Sequence, residues 1–282
     1  MPESSFRNSP PTFLAAPDVI LSARQFLVFS TGRFPGNPAT IHEIAAFPAD
    51  SALLEHSRSL ASIDNAYYLQ AAEPGRYLAK CFSHTAPLTV CGHALLATGH
   101  HLLAATGLHE LTLDTPAFTH RCKRVGAAGT LLSLPRYAPQ PLTDSVLVDK
   151  LLAATRLTHA EVEIALVFPF SVYVLITTSL AVLQDFQPAG FAWEELSDHK
   201  PGALLLSCAL ADGAYAFRYF SPWWGKEEDS ATGSAHSYLA PYWLREGQRA
   251  ETLQCSPAGP ASAQVQLAPD VVWISGQVSA AD

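Results

Sequence analysis

No stretch of this chain is rich in lysine or arginine. Over 282 residues the two number 17, against 25 aspartates and glutamates, for a formal net charge of −8. A chain without a basic patch lacks the electrostatic footprint that nucleic acid requires, so no nucleic-acid partner is expected. Charge of either sign is sparse, at 15% of residues against 49% apolar, a balance that excludes a disordered chain and supplies a core. The five cysteines (Cys81, Cys91, Cys122, Cys208, Cys255) are odd in number, and no CxxC occurs. The spacing of Cys81, His84, Cys91 and His93 is not that of a zinc site. G-x-G-x-x-G and Walker loops are also missing, so neither cofactor nor metal is expected. The N-terminal MPESSFRNSPP carries an acid and prolines where a secretory leader has basic and then apolar residues. The expectation is a cytoplasmic protein with reduced thiols.

One long apolar run is present. Ile164 to Leu183 contains no charge and is long enough to span a bilayer. Pro169 interrupts it, Val172 to Ile176 is strand-like, and Thr178 and Ser179 signal a helix start. No Lys or Arg flanks it closely, so a buried strand followed by a helix is expected, with no membrane partner.

Strand and helix patterns mix throughout, which predicts an α/β or α+β class. Residues 1–23 read as a loose extension, 91–107 as a helix of small residues closed by Gly107, and 232–247 as a second helix. At ~150 residues per domain the length fits one large domain or two lobes. An internal repeat favours two. YLAKCFS (77–83) aligns with YAFRYFS (215–221), and Cys91-Gly92-His93-Ala94 with Thr232-Gly233-Ser234-Ala235. Each glycine softens a helix start, where unpaired N–H groups and a partial positive charge favour an anion such as a carboxylate. His93 and Asp229 put titratable groups beside these starts, the layout of a proton-transfer site. Trp223 and Trp224 precede the second motif and either wall a substrate or plug an interface between lobes.

The motifs VFSTGRFPGNPA (28–39), VCGHALLATGH (90–100) and RYFSPWWGKEEDSATGSAH (218–236) resemble those of the phenazine-biosynthesis PhzF-like family, which has the diaminopimelate-epimerase-like fold. The resemblance runs from about Arg24 to Val278. It implies an α+β fold of two pseudo-symmetric lobes, each a curved mixed sheet around a central helix, here divided as 24–135 and 136–282 with terminal strands free to cross between them. It also implies a cofactor-independent isomerase, homodimeric, acting on a small carboxylate-bearing metabolite that can be cyclic. A lyase, dehydratase or cyclase on the same cleft, or a binding protein that has lost catalysis, are the alternatives.

Carried over by position, the resemblance makes Asp64 the proton-moving acid. It places His93 and Ser234 on the ligand, Asp229 on the substrate's amino group, and Asn37 nearby. Cys91, Gly92, Thr232 and Gly233 complete the expected binding surface. The departure is Asp64 itself: the family has glutamate where Ile63-Asp64-Asn65-Ala66-Tyr67 stands, so the acid is one methylene short. Ser230 also replaces a family proline. Two-base racemases of this fold carry a cysteine at each helix start, but here Cys91 is matched by Thr232, which disfavours cysteine-pair racemisation. The plainer readings are a capping role for Thr232, Ser234 and Asp229, and a small buried thiol for Cys91.

Overall fold

A strand–helix–strand unit occurs twice in the chain with the same connectivity. In the computed structural model, which describes residues 16–61, 64–126, 129–187, 196, 198, 202–224 and 226–281, both copies are complete. Most of the N-terminal extension, residues 1–15, and Ile63 lie outside the described residues. In the first copy the strand Asp64–Gln70 runs antiparallel to Arg76–Phe82. The chain then crosses over through the helix Gly92–Thr106, and Glu110–Asp114 returns parallel to Arg76–Phe82. In the second, Ala203–Ala209 runs antiparallel to Tyr215–Ser221. The chain crosses through the 3-10 turn Gly233–Ala235 and the helix His236–Trp243, and Arg249–Gln254 returns parallel to Tyr215–Ser221. Upstream, each copy has a parallel strand pair with a helix between, Asp50–Ser59 in one and Leu180–Asp185 in the other. The fold is α+β with two pseudo-symmetric lobes. C-terminal strands tie them together: Val271–Ser275 pairs with Gly129–Pro135, and Val278–Ala280 with Ile20–Val28.

The helix Gly92–Thr106 has no Asp, Glu, Lys or Arg and buries almost every face, as a helix enclosed by a sheet must. Its Leu95, Leu96 and Leu103 share one core with Val28, Ile41, Leu113 and Leu132 of the surrounding strands. Gly107 closes it at φ +74°, donating its N–H to the Leu103 carbonyl at 3.1 Å. The second central helix is shorter than the sequence predicts. It stops at Trp243 with Leu244 extended, and Gly247 sits in the following turn, its N–H on the Leu267 carbonyl at 2.8 Å. Pro241 within it leaves the Ser237 carbonyl without a helical donor, and the Tyr137 N–H fills that place at 3.0 Å.

Strand alternation divides the side chains between layers. On Tyr215–Ser221, Tyr215 and Phe217 face the central helix. Ala216 and Phe220 face an outer core with Leu147, Leu151 and Leu183. The long apolar run forms two strands rather than one. Val162–Phe168 and Val172–Thr177 make an antiparallel hairpin around Pro169–Ser171, with Phe170 and Ser171 at φ +66° and +54°. The first strand lacks period-2 alternation, which concealed it. The Ser179 hydroxyl then accepts from the Val182 N–H at 3.3 Å and starts the helix Leu180–Asp185. Among the described residues no helix is long and apolar enough to cross a membrane.

Candidate active site

The two central helices meet at their N-termini. A Cβ placed on Gly92 would stand 2.6 Å from the Ser234 nitrogen and 2.7 Å from the Gly233 carbonyl carbon, so backbone lies against backbone there. Neither preceding residue, Cys91 or Thr232, caps its helix with its side chain. The Thr232 hydroxyl instead donates to Asp229 Oδ2 at 2.6 Å. Two uncapped helix starts thus converge on one cleft, and their orphan N–H groups favour an anion between them.

Charged side chains line that cleft. Asp64 opens its strand, is 3% exposed, and lies 3.4 Å from His93 Nε2 through Oδ2. That imidazole nitrogen is buried and makes no hydrogen bond. Its Nδ1 lies 3.7 Å from Cys91 Sγ. Burial works against charge on His93, but Cys91 and Asp64 outweigh it, against opposition from Lys226, and raise its pKa to about 9. Cys91 is held well above its ordinary value by a hydrogen bond with Cys81 and by burial, with the charge of His93 pulling the other way. Asp229 accepts from Lys226 Nζ at 3.0 Å and Asn37 Nδ2 at 3.1 Å on Oδ1, and from Thr232 on Oδ2. Burial opposes its charge, yet Lys226, His93 and these bonds keep its pKa below the usual carboxylate value. Lys226 also donates to Asp64 Oδ2. Burial disfavours the ammonium, but Asp229 and Asp64 more than compensate and hold it above the ordinary lysine range.

Asp64, His93, Asp229, Cys91, Gly92, Thr232 and Ser234 all border one cavity of about 70 Å³, together with Lys226 and Tyr219. It is large enough for a carboxylate but not for a ring. Through Leu88, Val90, Tyr219, Ser221 and Ser234 it joins a cavity of about 340 Å³ walled by Tyr137, Phe170 and Tyr238. Among the described residues Trp223 is not one of those walls. Trp223 packs against the outer core of the second lobe, because the turn Pro222–Trp224 leaves the sheet on that face. Trp224 follows in the same turn, and its side chain lies outside the described part of the structure. Asn37 stands off the inner cavity. It bonds Asp229 and the Ala231 carbonyl (2.8 Å) and borders a separate cavity of about 590 Å³ behind Asp229.

The phenazine biosynthesis-like protein family, PhzC-PhzF, matches residues 27–262. The chain belongs to that family. It is 27% identical over 224 residues to a trans-2,3-dihydro-3-hydroxyanthranilate isomerase of Pseudomonas chlororaphis, covering 78% of each chain. It is also 27% identical over 273 residues to a human phenazine biosynthesis-like domain-containing protein, covering 86% of this chain and 90% of that one. Among solved structures, a PhzF-family protein of Enterococcus faecalis superposes with a TM-score of 0.75 at 17% identity over 92% of this chain and 96% of that one. A probable proline racemase of Agrobacterium radiobacter superposes at 0.64 and 12% identity, over 91% and 90%. These two likenesses establish the fold.

In this PhzF-family cleft the acid pair of the RYFSPWWGKEEDSATGSAH motif divides between two tasks. Glu228 turns outward and takes both ends of the Arg218 guanidinium at 2.7 and 2.8 Å, while Asp229 turns in. Sequence reading missed Lys226, although it lies within that quoted motif. It also missed Gln254, which accepts from the Thr232 N–H at 2.5 Å and donates to the Asp229 carbonyl at 2.6 Å. Asp64, Cys91 and His93 bring a carboxylate oxygen, a sulfur and a ring nitrogen within 4.8 Å of one another, a donor set of the kind zinc takes. The raised thiol pKa, the imidazole that favours its cation and the ammonium on Asp64 all work against a metal there. His84 is not part of this cluster.

Proposed function

We infer that the protein is an isomerase of the PhzF family, moving a proton by general acid/base catalysis on a small carboxylate-bearing metabolite with an apolar or cyclic body. The observation that carries this reading is the Asp64–His93 pair, 3.4 Å apart at the meeting point of two helix N-termini. The relatives named isomerases support it, and so does the volume arrangement. A carboxylate head fits the small polar cavity while the body rests among Tyr137, Phe170 and Tyr238. Removing a proton from carbon leaves negative charge on the substrate. The helix N–H groups, the His93 imidazolium and the Lys226 ammonium all face that charge without reorganising. Asp64 takes the proton, and Asp64 or His93 returns it at a second carbon. With Thr232 in place of a second thiol, a paired-thiolate mechanism has no support.

The test is hydrogen exchange. Candidate cyclic and unsaturated acids are incubated with the protein in heavy water, after chelation and dialysis, and deuterium at carbon is followed by NMR. Asp64→Asn keeps shape and polarity but removes the base. Exchange is expected to fall by ~10²-fold or more, with ligand affinity little changed. Undiminished exchange in that variant would remove Asp64 as the base, and a wild-type protein that binds acids without exchange would be a binding protein.

A further inference from the structure

Four charged side chains face the inner cavity, and their signs cancel. Asp64 and Asp229 are the negative pair, and Lys226 and protonated His93 the positive one. The acids are already engaged. Asp229 accepts from Lys226 and Asn37 through one oxygen and from Thr232 through the other, and Asp64 accepts from Lys226 and faces His93. An incoming ammonium would find both carboxylates already paired with Lys226. It would stand against two like charges in a site nearly closed to water, where such repulsion is weakly screened. An incoming carboxylate would meet two cations and the helix N–H groups. Without Lys226 the balance would reverse, with two acids facing one imidazolium.

Lys226 is held in this position by backbone geometry. Tyr219 and Ser221 of the neighbouring strand pair with Asp229 and Lys226, so the one residue between them on one side opposes two on the other. The resulting bulge places Lys226 and Asp229 on one face, three residues apart, where regular alternation would separate them. The Lys226 side chain is 15% exposed and wedged between the acids.

We propose that Lys226 makes this cavity selective for carboxylates that carry no ammonium group (hydroxy, oxo or unsaturated acids) by filling from within the chain the place between two acids that a substrate's ammonium would take. This rests on reading the cavity as the substrate site. It concerns charge selection, which is measured separately from proton transfer.

The probe is a matched pair, 2-hydroxycyclohexanecarboxylate and 2-aminocyclohexanecarboxylate, which differ in the one group that is charged at pH 7.5. Titration calorimetry on the full chain is expected to show the hydroxy acid binding at least tenfold more tightly. Lys226→Met leaves the acids without their cation and is expected to bring the ratio to one or below. Lys226→Arg keeps a cation and the wild-type order. A wild-type ratio of one or less, including no measurable binding of either acid, overturns the proposal. So does an unchanged ratio in Lys226→Met. The wild-type ratio needs no variant, so a poorly folded Lys226→Met does not remove the test. A clear preference with no hydrogen exchange at carbon would sink the isomerase reading alone. Exchange together with preference for the amino acid would sink the role of Lys226 alone.

Discussion

Asp64 and His93 differ in what their surroundings ask of them. The aspartate reaches toward the cleft with one methylene fewer than the glutamate its family resemblance implies. The ammonium of Lys226 and the imidazole of His93 close around that shorter reach. With Lys226 and His93 this close, Asp64→Glu is expected to push its carboxylate into Lys226 and lower exchange ~10-fold or more, since a displacement near 1 Å can cost ~100-fold. Exchange equal to or above wild type in Asp64→Glu would show that the shorter acid was merely tolerated. His93 yields a prediction in pH. Its pKa in the folded protein, about 9, lies above the ordinary 6.5, so the imidazolium is present below 9 and disappears above it. Carboxylate binding should weaken as pH rises through about 9, and His93→Gln should flatten that part of the profile. An unchanged profile in the variant would assign the titration to another group. Asp64 and His93 were legible in the sequence because the family resemblance assigns both by position, His93 in VCGHALLATGH and Asp64 in the run Ile63-Asp64-Asn65-Ala66-Tyr67. Lys226 was not, because a period-2 reading of KEED sets it on the face opposite Asp229 and only the bulge brings the two together.

The central helices owe their meeting to small residues and to the repeat that carries them. The coincidence of YLAKCFS with YAFRYFS was legible because like positions do like work. Tyr77 and Tyr215 both face the shared core, Phe82 and Phe220 both face outer cores, and Lys80 and Arg218 both take acids, Asp50 and Glu228. The length of the second helix was not legible. Nothing local in AHSYLAPYWLREG marks Trp243 as the last turn, and the Tyr137 N–H that serves the Ser237 carbonyl orphaned by the proline comes from far earlier in the chain. At the junction the prediction is direct. Gly92→Ala puts a methyl 2.6 Å from backbone nitrogen, with no flexible side chain to yield. The helix starts must separate, so the variant should lose about 1–3 kcal/mol of stability and ~100-fold in exchange. Denaturant unfolding and the heavy-water assay read the two losses, and a variant as stable and active as wild type would mean that the helices do not touch there. On the outer face, Glu228→Gln should lower stability with little change in the hydrogen-exchange rate. It leaves the buried Arg218 with its bonds to the Leu183 and Phe186 carbonyls, at 3.2 and 2.5 Å, but no counter-charge.

Across the whole molecule the repeat is symmetric in backbone and asymmetric in chemistry. Asn65 lies opposite Phe82 as Leu204 lies opposite Phe220, so the position matching Asp64 in the second lobe is Ala203. One lobe brings the acid, imidazole and thiol, and the other brings Lys226, Asp229 and the hydroxyls of Thr232 and Ser234. That division suits a proton carried by one base rather than exchanged between two. The same packing buries histidines that do not border the inner cavity, and they set the response of the fold to acid. His42 stacks on Tyr67 with ring centroids 4.6 Å apart, His120 Nδ1 donates to the Ser133 carbonyl at 2.7 Å, and His236 Nδ1 pairs with the Tyr215 hydroxyl at 2.7 Å. Burial lowers their pKa values from 6.5 to about 4, about 4 and about 3. A folded pKa below the unfolded one favours the neutral ring in the folded state. Each contribution is therefore complete above pH 6.5 and lost as pH falls through the folded value. At roughly 3 kcal/mol apiece, the three together rival the whole stability of a typical domain. His93 has the opposite sign: its contribution is complete below 6.5 and lost toward 9. Denaturant unfolding should therefore show stability dropping steeply between pH 6.5 and 4, with a shallower decline toward pH 9. His120→Asn should be less stable at pH 7 but should lose less on going to pH 4.5. If the wild-type midpoint holds steady from pH 7 to 4.5, these histidines are not buried as neutral rings and the packing around them is wrong.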